Sequence, residues 1–127
     1  MLITNDTCVS TKPYFEIPDK HLAKFLEYCD KFIEKTANEP KCLHYIFSFD
    51  GNRGHCQECY VDADGVLAHL DNIDKLNRQA MHLATIFRYE VHGPQSELDK
   101  LKEPLAFLNP DYYVTRCGFR HMPDLNE

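Results

Sequence analysis

The sequence predicts an α+β protein of the ferredoxin-like kind, a two-layer sandwich in which an antiparallel sheet carries its helices on one face. Three observations lead there. Leu22, Phe25, Leu26, Cys29, Phe32 and Ile33, and again Val66, Leu67, Leu70 and Ile73, fall at the three-four spacing of a helical face. Cys42 to Phe49 and Thr85 to His92 alternate instead with the period of two that a strand imposes. Caps and turn residues separate these stretches, so the elements run strand, helix, strand, strand, helix, strand, helix, strand, the order of helices laid over an antiparallel sheet.

The 127 residues match one domain spanning positions 1–127, and 43% hydrophobic residues suffice for one core. A net charge of -6, with Lys and Arg scattered, leaves no basic stripe, so nucleic acid is not an expected partner. No apolar run is long enough to cross a bilayer, and the start MLITNDTCVS lacks the basic and apolar regions of a signal peptide; a cytoplasmic protein is expected. The six cysteines are dispersed along a chain that can build its own core, which favours reduced, mostly buried thiols over disulfides.

The first strand is expected over Cys8 to Ile17, with Pro13 suited to an edge or to the strand's start. Pro18-Asp19 stops it and offers a helix cap, and the helix that follows ends by Asn38-Glu39-Pro40 because proline disfavours helical geometry before it. In the next strand Leu43, Tyr45, Phe47 and Phe49 share one face, and Cys42, His44, Ile46 and Ser48 the other. The turn Asp50-Gly51-Asn52-Arg53-Gly54 leads into a partner strand, Cys56 to Val61. Pairing Phe49 with Cys56 sets Tyr45 opposite Tyr60 and Phe47 opposite Glu58, so three aromatics surround one carboxylate.

Asp62 caps the next helix, in which His69 sits beside the apolar stripe and which runs on toward Met81. In the following strand Thr85, Phe87, Tyr89 and Val91 alternate with Ile86, Arg88, Glu90 and His92. Pro94 opens a helix with Leu98, Leu101 and Leu105 on its apolar face, and Pro104 bends or ends it. Tyr112 to Arg120 is the last strand, with Gly118 a candidate bulge. His44, Ile46, Cys59 and Val61 would line the uncovered sheet face, and a partly apolar open face predicts a homodimer packed sheet to sheet.

Glu58-Cys59-Tyr60-Val61-Asp62-Ala63-Asp64, followed by His69, resembles the E-x-[WY]-x-[DS]…H signature of the antibiotic biosynthesis monooxygenase (ABM) family of dimeric α+β barrels. The likeness follows the element order from Cys8 to Met81, and its specific part is Glu58 to His69. The C-terminal stretch from Tyr89 to Phe119 resembles the tails of uncharacterised members. The resemblance implies a ferredoxin-like protomer, dimerised through its sheet, with a pocket between sheet and helices. Some relatives oxidise aromatic polyketides without metal or flavin, others degrade haem, and many have no demonstrated activity. This sequence has Tyr60 where active members carry tryptophan, and Asn5 precedes the first strand rather than lying on it as their asparagine does.

Glu58 and His69 are therefore the candidate catalytic residues, managing protons, and Tyr45, Phe47 and Tyr60 the candidate binding residues for a small planar, mostly apolar molecule. The plainer alternative makes His69 a helix-to-sheet tie bonded to Glu58 or to a carbonyl, and the tyrosines core aromatics. The protein is then a non-catalytic dimerisation or ligand-binding module. Haem binding or degradation through His69 is a third alternative, and no cofactor is assigned. Cys56-x-x-Cys59 beside His55 invites a metal, but strand residues three apart face opposite ways, so no metal ligands are expected.

Overall fold

The computed structural model describes residues 2–122; Met1 and residues 123–127 of the expected domain lie outside the described residues. The elements are β1 (Leu2–Ile3), β2 (Val9–Glu16), α1 (Asp19–Thr36), β3 (Cys42–Asp50), β4 (Arg53–Tyr60), α2 (Ala63–Ala80), β5 (Thr85–Gly93), α3 (Gln95–Asp99), a 3-10 turn (Ala106–Leu108), β6 (Asp111–Val114) and β7 (Arg120–His121). The main sheet has the order β3-β4-β2-β5-β6. Its first four strands are antiparallel neighbours in the ferredoxin-like arrangement, and β6 joins β5 in parallel. Within the chain the sheet stays open.

Strand alternation and helical periodicity build one core between the layers. Val9, Tyr60 and Val91 from the sheet meet Val66 of α2 and the fully buried Leu98, Leu101 and Leu105. Phe25 and Cys29 of α1 pack on Phe15, Ile17 and Cys56, and Phe32 packs on Ile73 and Leu76 of α2. Asp62 caps α2 as expected, accepting from the Gly65 amide at 2.9 Å. At α1 the cap position is Pro18 without a side-chain bond, and Asp19 lies in the first turn where its charge favours the helix dipole.

Several expectations need correction. The hairpin pairs Phe49 with Gly54, Phe47 with Cys56 and Tyr45 with Glu58, a shift of two residues from the predicted register. The strands continue to Asp50 and Arg53, leaving only Gly51 and Asn52 in the turn, with Gly51 at φ 59°. An even shift leaves every face unchanged, so Tyr45, Phe47, Glu58 and Tyr60 still share the covered side. A bulge at Leu43 sets Cys42 opposite Tyr60, which turns Cys42 inward and leaves Leu43 exposed. A second irregularity between Tyr14 and Phe15 pairs Phe15 with Ile86, so Ile86 packs inward and Phe87 is exposed.

Pro13 lies in a central strand rather than at an edge or a strand's start. The β2–β4 ladder skips from Thr11↔Glu58 to Tyr14↔His55, and Pro13 falls in that gap, where its missing N–H breaks no ladder bond to β4. The helix begun by Pro94 ends at Asp99; Leu101 and Leu105 reach the core through turns instead. The predicted last strand divides into β6 and β7, and Gly118, at φ 142°, lies between them rather than in a bulge. β7 pairs with β1 as a separate ribbon. On the uncovered face His44 and Ile46 are exposed, Cys59 is buried, and Val61 lies beyond the end of β4. Among the described residues no helix is long and apolar enough to cross a membrane.

Candidate functional site

Strand register converges three side chains on Glu58. Thr11 on β2 and Tyr45 on β3 stand directly opposite it, and Tyr60 is its next neighbour on the same face of β4. The Thr11 hydroxyl donates to Glu58 Oε1 at 3.0 Å and the Tyr60 hydroxyl donates to the same oxygen at 2.6 Å. Glu58 itself is 5% exposed, a burial that a carboxylate tolerates only when it is bonded or neutral.

From the other layer, α2 lowers His69 onto this carboxylate, its Nε2 lying 3.6 Å from Glu58 Oε1. The opposite ring nitrogen, Nδ1, meets Glu39 at 2.9 Å from Oε2 and 3.1 Å from Oε1. Asn72, one helical turn after His69, donates to Glu39 Oε2 at 2.8 Å. An ionised carboxylate only accepts, so Nδ1 carries the hydrogen, and the lone pair of a neutral His69 points from Nε2 toward Glu58. The result is a buried carboxylate–imidazole–carboxylate series across the two layers.

Burial raises the Glu58 carboxyl above the ordinary range, opposed first by the neighbouring His69 and then by donation from Tyr60 and Thr11. The hydroxyls of Tyr45, Tyr60 and Tyr89 and the thiol of Cys56 are also pushed up, each mainly by burial and next by the negative charge of Glu58. All four stay protonated, and Tyr60 donates to Glu58. Glu58 and His69 are the buried carboxyl and imidazole that face each other here.

Beside this pair lies a cavity of about 40 Å³. Tyr45, Phe47, Glu58 and His69 border it, with Leu70, Ile73 and Asn77 of α2, Met81 just past its end, and Phe15 and Ile86 of the sheet. Tyr60 does not border it; it is fully buried behind Glu58, so its place is that of a donor to the carboxylate rather than a wall of the cavity. The Tyr45 ring meets Phe47 edge-on at 5.3 Å and tilts against His69 at 5.2 Å.

Cys56 is fully buried on the inner face, whereas Cys59 pairs with Ser10 and His44 on the outer one. Among the described residues no group of three or more His, Cys, Asp or Glu side chains is placed to hold a metal ion. Sequence reasoning missed Glu39, which reads as punctuation before Pro40, and Thr11, whose alternation with Val9 and Phe15 was the available signal.

The fold and the buried Glu–His pair define a ferredoxin-like α+β protein with a closed-in polar site under its helices. Among solved structures the chain is similar to MupZ from Pseudomonas fluorescens, at 54% identity and TM-score 0.89 over 91% of each chain. The chain belongs to the same family as MupZ, and its fold is the one shared by structures named as antibiotic biosynthesis monooxygenases. Two further structures share the fold. Rv0793 from Mycobacterium tuberculosis is 20% identical, with TM-score 0.60, over 68% of this chain and 94% of its own. An antibiotic biosynthesis monooxygenase is 18% identical, with TM-score 0.58, over 65% and 92%. No family model matches the sequence, and no curated protein matches it.

Proposed function

We propose that the cavity is the active site of an acid–base catalyst acting on a small, largely apolar molecule that presents an oxygen function to Glu58 and His69. One observation carries this reading: Nε2 of His69 and the carboxyl of Glu58 meet 3.6 Å apart at the wall of a mainly apolar cavity. His69, its Nδ1–H held by Glu39, takes a proton; Glu58, raised by burial, supplies a proton or hydrogen bond to the substrate oxygen. Tyr60 and Thr11 fix the carboxylate and do not touch substrate.

A cofactor-free monooxygenase working on a small planar aromatic molecule is a second reading, favoured by the edge-on Tyr45 and Phe47 rings and by the fold shared with an antibiotic biosynthesis monooxygenase. His69 would remove a proton from an activated CH2 carbon. The carbanion and O2 would join as a hydroperoxide, and loss of water would leave a carbonyl, so that CH2 and O2 become C=O and H2O. We further propose that the protein works as a homodimer through its open sheet face, where Ile46 is 50% and Phe87 51% exposed. Light scattering on the wild type and on Ile46→Asp tests this, with a fall in mass expected for the variant.

The acid–base reading is tested by following deuterium uptake from D2O into a panel of small ketones and phenols by mass spectrometry, with oxygen consumption recorded in parallel. The wild type is expected to accelerate exchange, and Glu58→Gln and His69→Ala to lose roughly a hundredfold or more. Equal rates in all three proteins remove the pair from any mechanism. Exchange without oxygen uptake rejects the monooxygenase reading alone.

A further inference from the structure

Asn77 lies on the cavity wall and has no part in the Glu39–His69–Glu58 series. It is half-buried; its backbone groups belong to the α2 ladder, the carbonyl accepting from the Met81 amide at 2.9 Å, while its side-chain amide has no protein hydrogen-bond partner among the described residues. A carboxamide holds two donors and an acceptor, and on a wall made by Ile73, Met81 and Ile86 it is the type of isolated polar group that orients a ligand. His69, Ile73 and Asn77 recur on one face of α2, and eight residues of helix place Asn77 roughly 12 Å along the axis from His69.

From this spacing we infer that Asn77 receives a second oxygen function of the substrate, and that the substrate is a thin, mainly aliphatic chain whose two hydroxyl or carbonyl groups lie about nine bonds apart. The inference rests on the acid–base reading, which places the inner oxygen at Glu58 and His69. An extended chain advances about 1.2 Å per bond, so nine bonds span about 11 Å and the hydrogen bonds at its two ends cover the remainder. The apolar residues that line most of the cavity match methylenes rather than further polar groups.

The probes are 1,8-octanediol and 1-octanol, titrated by heteronuclear NMR into the intact wild-type chain, Asn77→Leu and, as a smaller replacement, Asn77→Ala. The ratio of 1-octanol to 1,8-octanediol dissociation constants is expected to fall about tenfold in both variants, which corresponds to one lost hydrogen bond of about 1.4 kcal/mol. In the wild type the Asn77 side-chain NH2 resonances are expected to move with the diol and not with the alcohol. An unchanged ratio in both variants, equal movement with both probes, or no binding of either probe to the wild type overturns the inference. Deuterium exchange reports on Glu58 and His69 alone, so an intact ratio with failed exchange, or the reverse, separates this inference from the reading it rests on.

Discussion

His69 Nδ1 lies 2.9 Å from Glu39 Oε2 although 30 positions separate the two residues. The contact joins the loop after α1 to the second turn of α2 and dictates which ring nitrogen bears the hydrogen. Glu39→Ala should therefore leave a buried imidazole N–H without its acceptor and cost about 1–3 kcal/mol. Nitrogen-15 NMR of the ring should report Nδ1–H in the wild type and a mixed tautomer population in the variant, while Glu39→Gln retains the wild-type pattern. An unaltered ring spectrum in Glu39→Ala removes Glu39 from this role.

Glu58 and Glu97 should give opposite pH signatures. Burial raises Glu58, so its contribution to stability is fully present below the ordinary value of about 4.3 and is lost as pH rises through the folded value. Glu97 is held low, first by the Ala63 amide that donates to it at 3.0 Å and then by Lys100, so its contribution is present above about 4.3 and lost as pH falls. In urea denaturation Glu58→Gln should gain on the wild type between pH 5 and pH 8. Glu97→Gln should lose more at pH 8 than at pH 3. Parallel curves for either variant contradict its assignment.

Tyr60→Phe removes the 2.6 Å donor to Glu58 and nothing from the cavity wall. The expected loss is about 1–3 kcal/mol in chemical denaturation with an unchanged slope, since a buried hydrogen bond is lost without reshaping the core. The same variant should move the titration of Glu58 upward, because its donor held the carboxylate form down.

Gly65→Ala sets two effects against each other. Alanine gains about 1 kcal/mol of helix propensity over glycine. A Cβ at Gly65 would stand 3.0 Å from the Cβ atoms of both Lys41 and Tyr60. Those atoms are fixed to the backbone and cannot swing away, so overpacking of about 1–3 kcal/mol should win and the melting temperature should fall. A rise in melting temperature would mean that β4 and the loop before β3 give way readily.

Periodicity carried the helices, the strands and the face shared by Tyr45, Phe47, Glu58 and Tyr60, because a face depends only on odd and even positions and survives an even error in register. It failed where the backbone departs from strict alternation: Cys42 was assigned outward and Ile86 to the wrong face. Glu58 and His69 were legible as a set through the family signature that Glu58 to His69 resembles, and the structure brings them within 3.6 Å. Their partners were not legible, since Glu39 is close to His69 only through the packing of two layers, and Asn77 stands out only once the cavity exists. The C-terminal segment was read as a helix and a long strand because three leucines at helical spacing reach the core equally well from successive turns.

The extra residue at Leu43 sits between the loop that carries Glu39 and the strand that carries Tyr45 and Phe47. It absorbs a single-residue insertion on the spot, so the chain length of the loop and the orientation of the cavity wall are independent of one another. Removing Leu43 would join Cys42↔Tyr60 and His44↔Cys59 into a regular ladder without turning any later side chain over. Loop length here can drift by one residue through insertion or deletion while the site keeps its handedness.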